Sequence, residues 1–185
     1  GGKVDVAAFV ASTLNISNAD FLAGRNLFVN DGTAQNVINQ GEIRTPSGGS
    51  VYLVGSNVTN EGLIHTPAGE TILAAGQTVS LIDSATPGVK VDITGAAGNA
   101  TNLGTITADA GRIGIAGVIV RNSGLLNASS VVNEGGRIFL KATGDTLVEG
   151  GRLDATSVGG KGGQVDVLGD RVAVMNDAEI DVSGT

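Results

Sequence analysis

The stretch NQGEIRTPSGG, from Asn39 to Gly49, is followed 21 residues later by NEGLIHTPAGE, from Asn60 to Glu70. Shorter copies of the same pattern begin further along the chain: NLGTITADAGR at Asn102, NSGLLNAS at Asn122, GGRLDATS at Gly150 and NDAEIDVSG at Asn176. A small residue recurs at the equivalent position of each copy, at intervals of 21, 42, 20, 27 and 27 residues: Gly41, Gly62, Gly104, Gly124, Gly151 and Ala178. A recurring unit of about 21 residues indicates a solenoid, and the step of 42 residues predicts one copy without markers.

Apolar residues alternate within each copy, which is typical of strands that bury one face. The positions predicted to face inward in the first two copies are Ile43, Thr45, Val51, Leu53, Ile64, Thr66, Ile72 and Ala74. A third short strand is predicted in several copies, for example at Val79 and Leu81 and at Val172 and Val174. Three short strands cannot cover their own apolar face, so the copies must stack on one another.

Stacking of equivalent strands predicts an all-β chain folded as a parallel β-helix. Strands of successive copies would pair in parallel, about 4.8 Å apart. Parallel crossovers are usually right-handed, and we therefore expect a right-handed β-helix of about nine three-sided rungs with roughly 21 residues each. Residues 1–185 are predicted to form a single β-helix segment.

Four asparagines, Asn39, Asn60, Asn102 and Asn122, occupy one predicted corner of the helix. Stacked amides can bond to one another and to the backbone of the turn, which predicts a structural asparagine ladder. A ligand site built from the same amides is the alternative.

Composition excludes several classes of partner. The chain has 11 Lys and Arg against 18 Asp and Glu, a net charge of -7, and its basic residues are scattered, which argues against binding to nucleic acid. An anionic membrane surface is excluded for the same reason, and no apolar run is long enough for a membrane span. The absence of cysteine excludes disulfides and thiol chemistry.

The segment VDVAAFVASTLNISNADFLAG, from Val4 to Gly24, resembles the secretion domain of filamentous-haemagglutinin-like exoproteins. Those exoproteins carry the stretch that here runs from Val10 to Gly24, followed by repeats with the pattern Asn-x-Gly-x-Ile. The resemblance implies a right-handed β-helix, export by two-partner secretion through an outer-membrane barrel transporter, and a secreted or cell-surface location. It also implies a role in adhesion or biofilm matrix, with an unidentified host or matrix receptor.

The same resemblance suggests a division of the chain. Residues 1–117 resemble the later part of the secretion domain, and residues 118–185 resemble the β-helical repeats that follow it, with longer loops. The Asn-Pro-Asn motifs that relatives carry upstream are absent, and Ala7-Ala8-Phe9 replaces their Gly-Gly-hydrophobic step. We therefore expect a longer precursor that extends in both directions, with this segment lacking full secretion competence.

A β-helical polysaccharide-processing enzyme or carbohydrate-binding module is the alternative function. Such proteins place carboxylates beside aromatic rings that stack on sugars, whereas this chain has no Trp, one Tyr, four Phe and one His. The histidine, His65, is predicted to point outward without a catalytic partner. No catalytic residue and no cofactor are predicted.

Two further motifs raise the question of ligand binding. Several aspartates gather toward the end of the sequence, namely Asp154, Asp166, Asp170, Asp177 and Asp181. Oxygen-rich faces can hold calcium, but the glycine-rich calcium nonapeptide is missing, and a solvated acidic face is the favoured interpretation. The run GGKGG, from Gly159 to Gly163, suggests a phosphate-binding loop, but it lacks the following Ser or Thr, and a flexible corner is favoured.

Four Asn-x-Ser/Thr sequons are possible glycosylation sites, at Asn15, Asn57, Asn99 and Asn127. The first three are 42 residues apart, so they would lie on one side of the rod, two rungs apart.

At both ends of the chain the pattern predicts rung strands without a covering helix. We expect either neighbouring repeats of a longer rod there or copies stacked end to end as a filament.

Overall fold

The computed structural model describes residues 2–84, 88–131 and 135–185. More than half of these residues form short β-strands, and most of the strands belong to three parallel sheets. Sheet I contains β1 (Lys3–Asp5), β6 (Glu42–Arg44), β9 (Leu63–His65), β14 (Thr105–Thr107), β17 (Leu125–Asn127), β20 (Gly151–Asp154) and β23 (Ala178–Asp181). Sheet II contains β2 (Ala8–Ser12), β7 (Ser50–Gly55), β10 (Glu70–Ala75), β15 (Arg112–Gly117), β18 (Arg137–Ala142) and β21 (Gln164–Leu168). Sheet III contains β5 (Asn36–Asn39), β8 (Asn57–Asn60), β13 (Asn99–Asn102), β16 (Ile119–Asn122), β19 (Asp145–Val148) and β22 (Arg171–Val174).

The chain passes through sheet III, sheet I and sheet II in turn and then starts the next level. Strands of neighbouring levels pair in parallel and in register, as between β6 and β9, where Ile43 lies opposite Ile64. This order is that of a parallel β-helix. The all-β, parallel architecture expected from the repeats is therefore confirmed.

The number of levels differs from the sequence-based expectation. Within the described residues the three sheets contain seven, six and six strands, fewer than the nine rungs predicted. The step of 42 residues accounts for part of this difference, because Asn60 lies directly opposite Asn102 on the next level. Among the described residues between these copies there is no further rung, and the strands at Thr78–Ser84 and Gly88–Thr94 leave the helix as an insertion.

The insertion is part of a fourth, antiparallel sheet, here called the cover sheet. It contains β3 (Asn15–Ile16), β4 (Asn26–Val29), β11 (Thr78–Ser84) and β12 (Gly88–Thr94), in the order β12-β11-β4-β3. The short helix α1 (Asn18–Leu22) lies between β3 and β4. Val79 and Leu81 belong to this sheet, so their assignment to a third rung strand was wrong.

The described residues form two apolar clusters, one on each side of sheet II. The first fills the interior of the helix, where sheet I contributes a continuous column of buried residues: Ile43, Ile64, Ile106, Leu126 and Leu153. The second lies between the outer face of sheet II and the cover sheet, and includes Phe28, Val54 and Leu81.

The prediction that Ile72 and Ala74 face the interior was wrong. In β10 the residues opposite Val51 and Leu53 are Thr71 and Leu73, so Ile72 and Ala74 face the cover sheet. Because β10 is apolar on both faces, an assignment of the inward face that is wrong by one residue still selects alternating apolar residues.

Candidate functional site

The structure brings the four corner asparagines together in a single file inside the β-helix. Asn39 donates from Nδ2 to Oδ1 of Asn60 over 2.7 Å, and Asn60 donates in the same way to Asn102 over 2.9 Å. Asn102 continues the file to Asn122, also over 2.9 Å. The file ends there, because the residue opposite Asn122 on the next level is Val148.

The second amide hydrogen of these side chains is also used. Asn60, Asn102 and Asn122 each donate from Nδ2 to the carbonyl oxygen two residues ahead, at 3.3, 3.3 and 3.1 Å. All three side chains are completely buried. Because the amides face the interior and bond to one another and to the turn, a ligand outside the helix cannot reach them.

The glycines that follow the asparagines are required by close approach of the backbone. A Cβ atom at Gly62 would overlap the carbonyl oxygen of Gly41, and one at Gly104 would overlap that of Gly62. The Asn-x-Gly pattern therefore describes a corner where successive levels touch through their main chains.

His65 lies on the outer face of sheet I, as predicted. Its Nδ1 is 3.9 Å from Oδ2 of Asp109, a carboxylate that sequence spacing did not identify. The histidine side chain is 27% exposed and the aspartate side chain 48%. This distance is too long for a hydrogen bond, so the pair lacks the geometry of an oriented catalytic base.

The aspartates near the end of the sequence do not form one cluster. Asp154 and Asp181 are neighbours in sheet I and both pair with Arg152, at 3.2 and 3.1 Å. Asp166 instead lies in sheet II and pairs with Arg137 at 2.7 Å. Among the described residues, no group of three or more His, Cys, Asp or Glu side chains is placed to hold a metal ion.

The hydrogen bonds of Asp181 lower its pKa. The main causes are the backbone and side-chain hydrogen bonds of Ser183, followed by the charge of Arg152. The pKa of Arg152 is raised in turn, chiefly by its hydrogen bond to Asp154. Both changes favour the charged forms, so the arrangement is a network of surface ion pairs.

The sequons occupy different parts of the molecule. Asn57 and Asn99 are on adjacent levels of sheet III, and the amide N–H of Asn99 donates to Oδ1 of Asn57 over 3.0 Å. Asn15 lies in the cover sheet. The expected row of three sites, two rungs apart, was therefore wrong. Asn127 lies in sheet I, and its Oδ1 accepts from Oγ of Ser129 over 2.7 Å. Glycosylation at these asparagines stays a prediction.

Helix α1 presents an exposed apolar pair that the sequence analysis did not identify. Phe21 is 70% exposed and Leu22 is 84% exposed. Ser17 caps the helix by accepting the amide N–H of Asp20 over 3.0 Å, and Arg25 donates from Nε to Oδ1 of Asp20 over 2.7 Å. The hydroxyl of Ser17 and then Arg25 lower the pKa of Asp20.

Helix α1 has five residues and none of them is buried, so its apolar side chains belong to neither apolar cluster. The hydrogen bonds described for α1 lie within residues 17–25, and the helix also contacts β4. No helix in the described ranges is long and apolar enough to cross a membrane.

The fold is similar to that of a solved structure, the HMW1 secretion domain from Haemophilus influenzae. The TM-score is 0.73, the sequence identity is 23%, and the likeness covers 98% of this chain and 60% of that one. The chain thus spans about 60% of the length of that secretion domain structure. No family model matches the sequence, and no curated protein matches it. At this identity the likeness establishes a shared fold. It confirms the fold that the resemblance of the stretch from Val10 to Gly24 implies.

Proposed function

We propose that this chain is part of a secreted exoprotein of the two-partner type, exported through an outer-membrane barrel transporter. The observation that carries the proposal is the likeness to the HMW1 secretion domain over 98% of the chain. The sequence stretch from Val10 to Gly24 supports it, since its resemblance to such exoproteins is independent of the fold comparison. A secreted or cell-surface location follows from this proposal.

Within that exoprotein the segment acts as a structural rod. In this proposal the β-helix is right-handed, residues 1–117 correspond to the later part of a secretion domain, and residues 118–185 are the repeats that follow. The rod belongs to an adhesin or biofilm matrix protein and holds its binding surfaces away from the cell. We propose no catalytic role, in accordance with the long distance between His65 and Asp109.

The asparagine ladder stabilises the rod in this account. Its amides satisfy the polar groups of one corner across four levels, so the corner carries buried polar atoms without an energetic penalty. A role in stability rather than in binding is supported by the complete burial of Asn60, Asn102 and Asn122.

Helix α1 is the element that we assign to recognition by the transporter. It lies in the stretch that resembles secreted exoproteins, and it exposes Phe21 and Leu22. The hydrogen bonds that shape it are local, from Ser17 to Arg25, and it lies between β3 and β4, outside the three parallel sheets.

The export experiment uses the native precursor that contains this segment. The precursor is expressed with and without its barrel transporter, and its amount in the medium and on the cell surface is measured by immunoblot. We expect export only when the transporter is present. Equal amounts outside the cell without the transporter would overturn the proposal.

A double variant, Phe21→Ser with Leu22→Ser, then tests the recognition element. The matched control is Leu103→Ser with Val158→Ser, since those residues are 52% and 70% exposed and lie elsewhere on the rod. We expect export of the first variant to fall about tenfold, equivalent to about 1.4 kcal/mol of lost contact, and the control to be exported normally. Equal export of both variants would remove α1 from the proposal without affecting its first part.

A further inference from the structure

The connection between β20 and β21 is longer than the corresponding connections of earlier levels. It comprises residues 155–163, whereas residues 66–69 join β9 to β10 and residues 108–111 join β14 to β15. Nine residues thus take the place of four at the same corner, between sheet I and sheet II. The run GGKGG, from Gly159 to Gly163, lies in this connection, here called the glycine loop. The loop leads into a strand rather than a helix, so it lacks the architecture of a phosphate-binding loop.

The tip of the glycine loop is exposed and has few hydrogen bonds. Val158 is 70% exposed, and Lys161 is exposed as well. The backbone N–H groups of residues 159–162 have no backbone acceptor within the described part of the chain. The base of the loop is better held, because the N–H of Gly163 donates to the carbonyl oxygen of Ala155 over 2.8 Å. Exposed loop tips with small residues are preferred sites of proteolytic nicking.

Lys161 differs from the other basic residues of the protein. The chain has 11 Lys and Arg, and Lys161 is the only one that forms no ion pair with another described residue. Nine of the others lie in strands, where pairing with neighbouring strands holds the backbone. The tenth, Arg25, follows helix α1 and donates from Nε to Oδ1 of Asp20 over 2.7 Å. Within the described ranges, an exposed and unpaired basic side chain on a loop backbone therefore occurs at one position.

We propose that the glycine loop is a processing site, cut after Lys161 by an extracellular protease of trypsin specificity. Such a protease holds a lysine or arginine side chain in a pocket that contains an acidic residue. The glycines on both sides of Lys161 let the backbone adapt to the protease without overlap of side chains. The cut adds water across one peptide bond: the carbonyl carbon of Lys161 receives the hydroxyl group, and the nitrogen of Gly162 receives the proton.

Two backbone hydrogen bonds at the tip must open before the loop can enter a protease. The carbonyl oxygen of Lys161 accepts the N–H of Gly135 over 2.9 Å, and that of Gly160 accepts the N–H of Thr185 over 3.0 Å. Neither bond joins two strands, so the ladders of the three sheets stay closed while the tip opens. Local opening of this kind costs less than global unfolding, and the folded protein is therefore the substrate.

The cut leaves the strand pairs of the rod in place. β20 remains paired with β17 and β23, and β21 remains paired with β18. The apolar columns that hold these levels together are not interrupted either, because the glycine loop contributes no strand to them. Processing thus converts one chain into two chains that stay stacked in a single β-helix.

The test is limited digestion of the 185-residue chain with trypsin, followed by intact mass spectrometry. A cut after Lys161 gives residues 1–161 and residues 162–185. Lys161→Gln removes the site. Lys90→Gln is the matched control, because Lys90 is also an exposed lysine but lies in β12 and pairs with Asp92 at 3.6 Å. Size-exclusion chromatography of the digest, in native buffer and in concentrated urea, shows whether the two fragments stay together.

We expect the cut after Lys161 to be faster than a cut at any basic residue that lies in a strand. Lys161→Gln should slow the loss of intact chain about tenfold, whereas Lys90→Gln should change it less than about twofold. Both fragments should elute as one species in native buffer and separate in urea. Equal rates of loss in Lys161→Gln and the wild type, or a faster cut within a strand, would overturn the processing site. Separate fragments in native buffer would overturn the intact rod.

The native precursor supplies the second measurement. It is collected from the medium, treated with trypsin, and its new N-termini are identified by mass spectrometry, with Gly162 as the expected one. A purified chain that is cut after Lys161 beside a precursor that is not would show that other parts of the exoprotein shield the loop, and the processing role would be wrong. Access of a protease rests on the proposed secreted or cell-surface location, but digestion of the purified chain does not depend on export. Failure of either proposal therefore leaves the other testable.

Discussion

The levels of the β-helix that carry the cover sheet differ from those that follow. In β7, β10 and β15 the outer face of sheet II is buried under the cover sheet, so residues such as Val54 and Ile72 are completely inaccessible. In β21 the outer face is open, and Leu168 at its end is 53% exposed. The asparagine file runs through the covered levels and stops at Asn122, where Val148 replaces the amide on the next level. The same repeat unit thus forms two kinds of level. The covered levels have an apolar layer on both sides of sheet II and a buried asparagine, whereas the open levels have only the apolar interior of the β-helix.

One column of sheet II crosses both regions and provides the strongest test. Ile72 lies opposite Gly114, Gly114 opposite Phe139, and Phe139 opposite Asp166, so the position that is apolar under the cover sheet is a carboxylate on the open levels. We predict that Ile72→Asp destabilises the protein by about 3–5 kcal/mol, because it buries an unpaired charge between two sheets. Urea unfolding followed by circular dichroism measures this change.

The control is made at the open end of the same column. Asp166→Ala removes a surface pair with Arg137 and an exposed hydrogen bond from Gln164, and should cost about 0–1 kcal/mol. If Ile72→Asp were as stable as the wild type, the cover sheet would not exclude water from sheet II, and the distinction between the two regions would be lost.

The second prediction concerns the asparagine file. Asn102→Ala removes the Oδ1 atom that accepts from Asn60 and the Nδ2 atom that donates to Asn122. The amide N–H of Asn60 and the Oδ1 of Asn122 then lose these partners while they remain buried. We expect a loss of about 2–4 kcal/mol of unfolding free energy. Thr101→Ala, at the neighbouring outward position of the same strand, should change it by less than about 0.5 kcal/mol. Similar losses for the two variants would show that the file contributes nothing particular.

The smallest effect is expected on the open levels, where ion pairs lie at the surface. The hydrogen bond from Arg171, followed by its charge, lowers the pKa of Asp145 from its usual value of 3.8. A carboxylate whose pKa is lower in the folded state stabilises that state above its unfolded pKa, and this contribution is lost as the pH falls through the folded pKa. Asp145→Asn should therefore lower the melting temperature at neutral pH by a small amount that disappears in acid.

Melting curves of the wild type and the variant between pH 7 and about pH 2 test this dependence. Arg171→Gln should produce the same small change at neutral pH, and the double variant should add nothing further. A difference that persists at the lowest pH would assign the effect of Asp145→Asn to something other than its charge.

The sequence predicted the interior of the β-helix better than its exterior. Residues such as Ile43 and Ile106 alternate with polar neighbours, so their burial follows from a period of two. Ile72 could not be placed in this way, because β10 is apolar on both faces and the alternation carries no information about direction. The corner asparagines were found by their spacing, which depends only on local turns.

The cover sheet escaped prediction for a related reason. Its strand β11 contains Val79 and Leu81, which alternate just as a rung strand does, and only long-range pairing distinguishes the two. Features made by contacts between levels are visible in a single sequence only when they repeat at a constant interval.

The connection between Asn60 and Asn102 also has a consequence for the order in which the protein folds. Most levels are completed by chain closures of similar length, 21 residues from Asn39 to Asn60 and 20 from Asn102 to Asn122, whereas this closure spans 42. Doubling a flexible loop costs only about 0.6 kcal/mol of closure entropy, so the longer excursion is a minor obstacle for growth of the structure. The sequence separation between contacting levels does not grow as levels are added, and a chain that emerges gradually from one end can fold level upon level, each completed level serving as the template for the next.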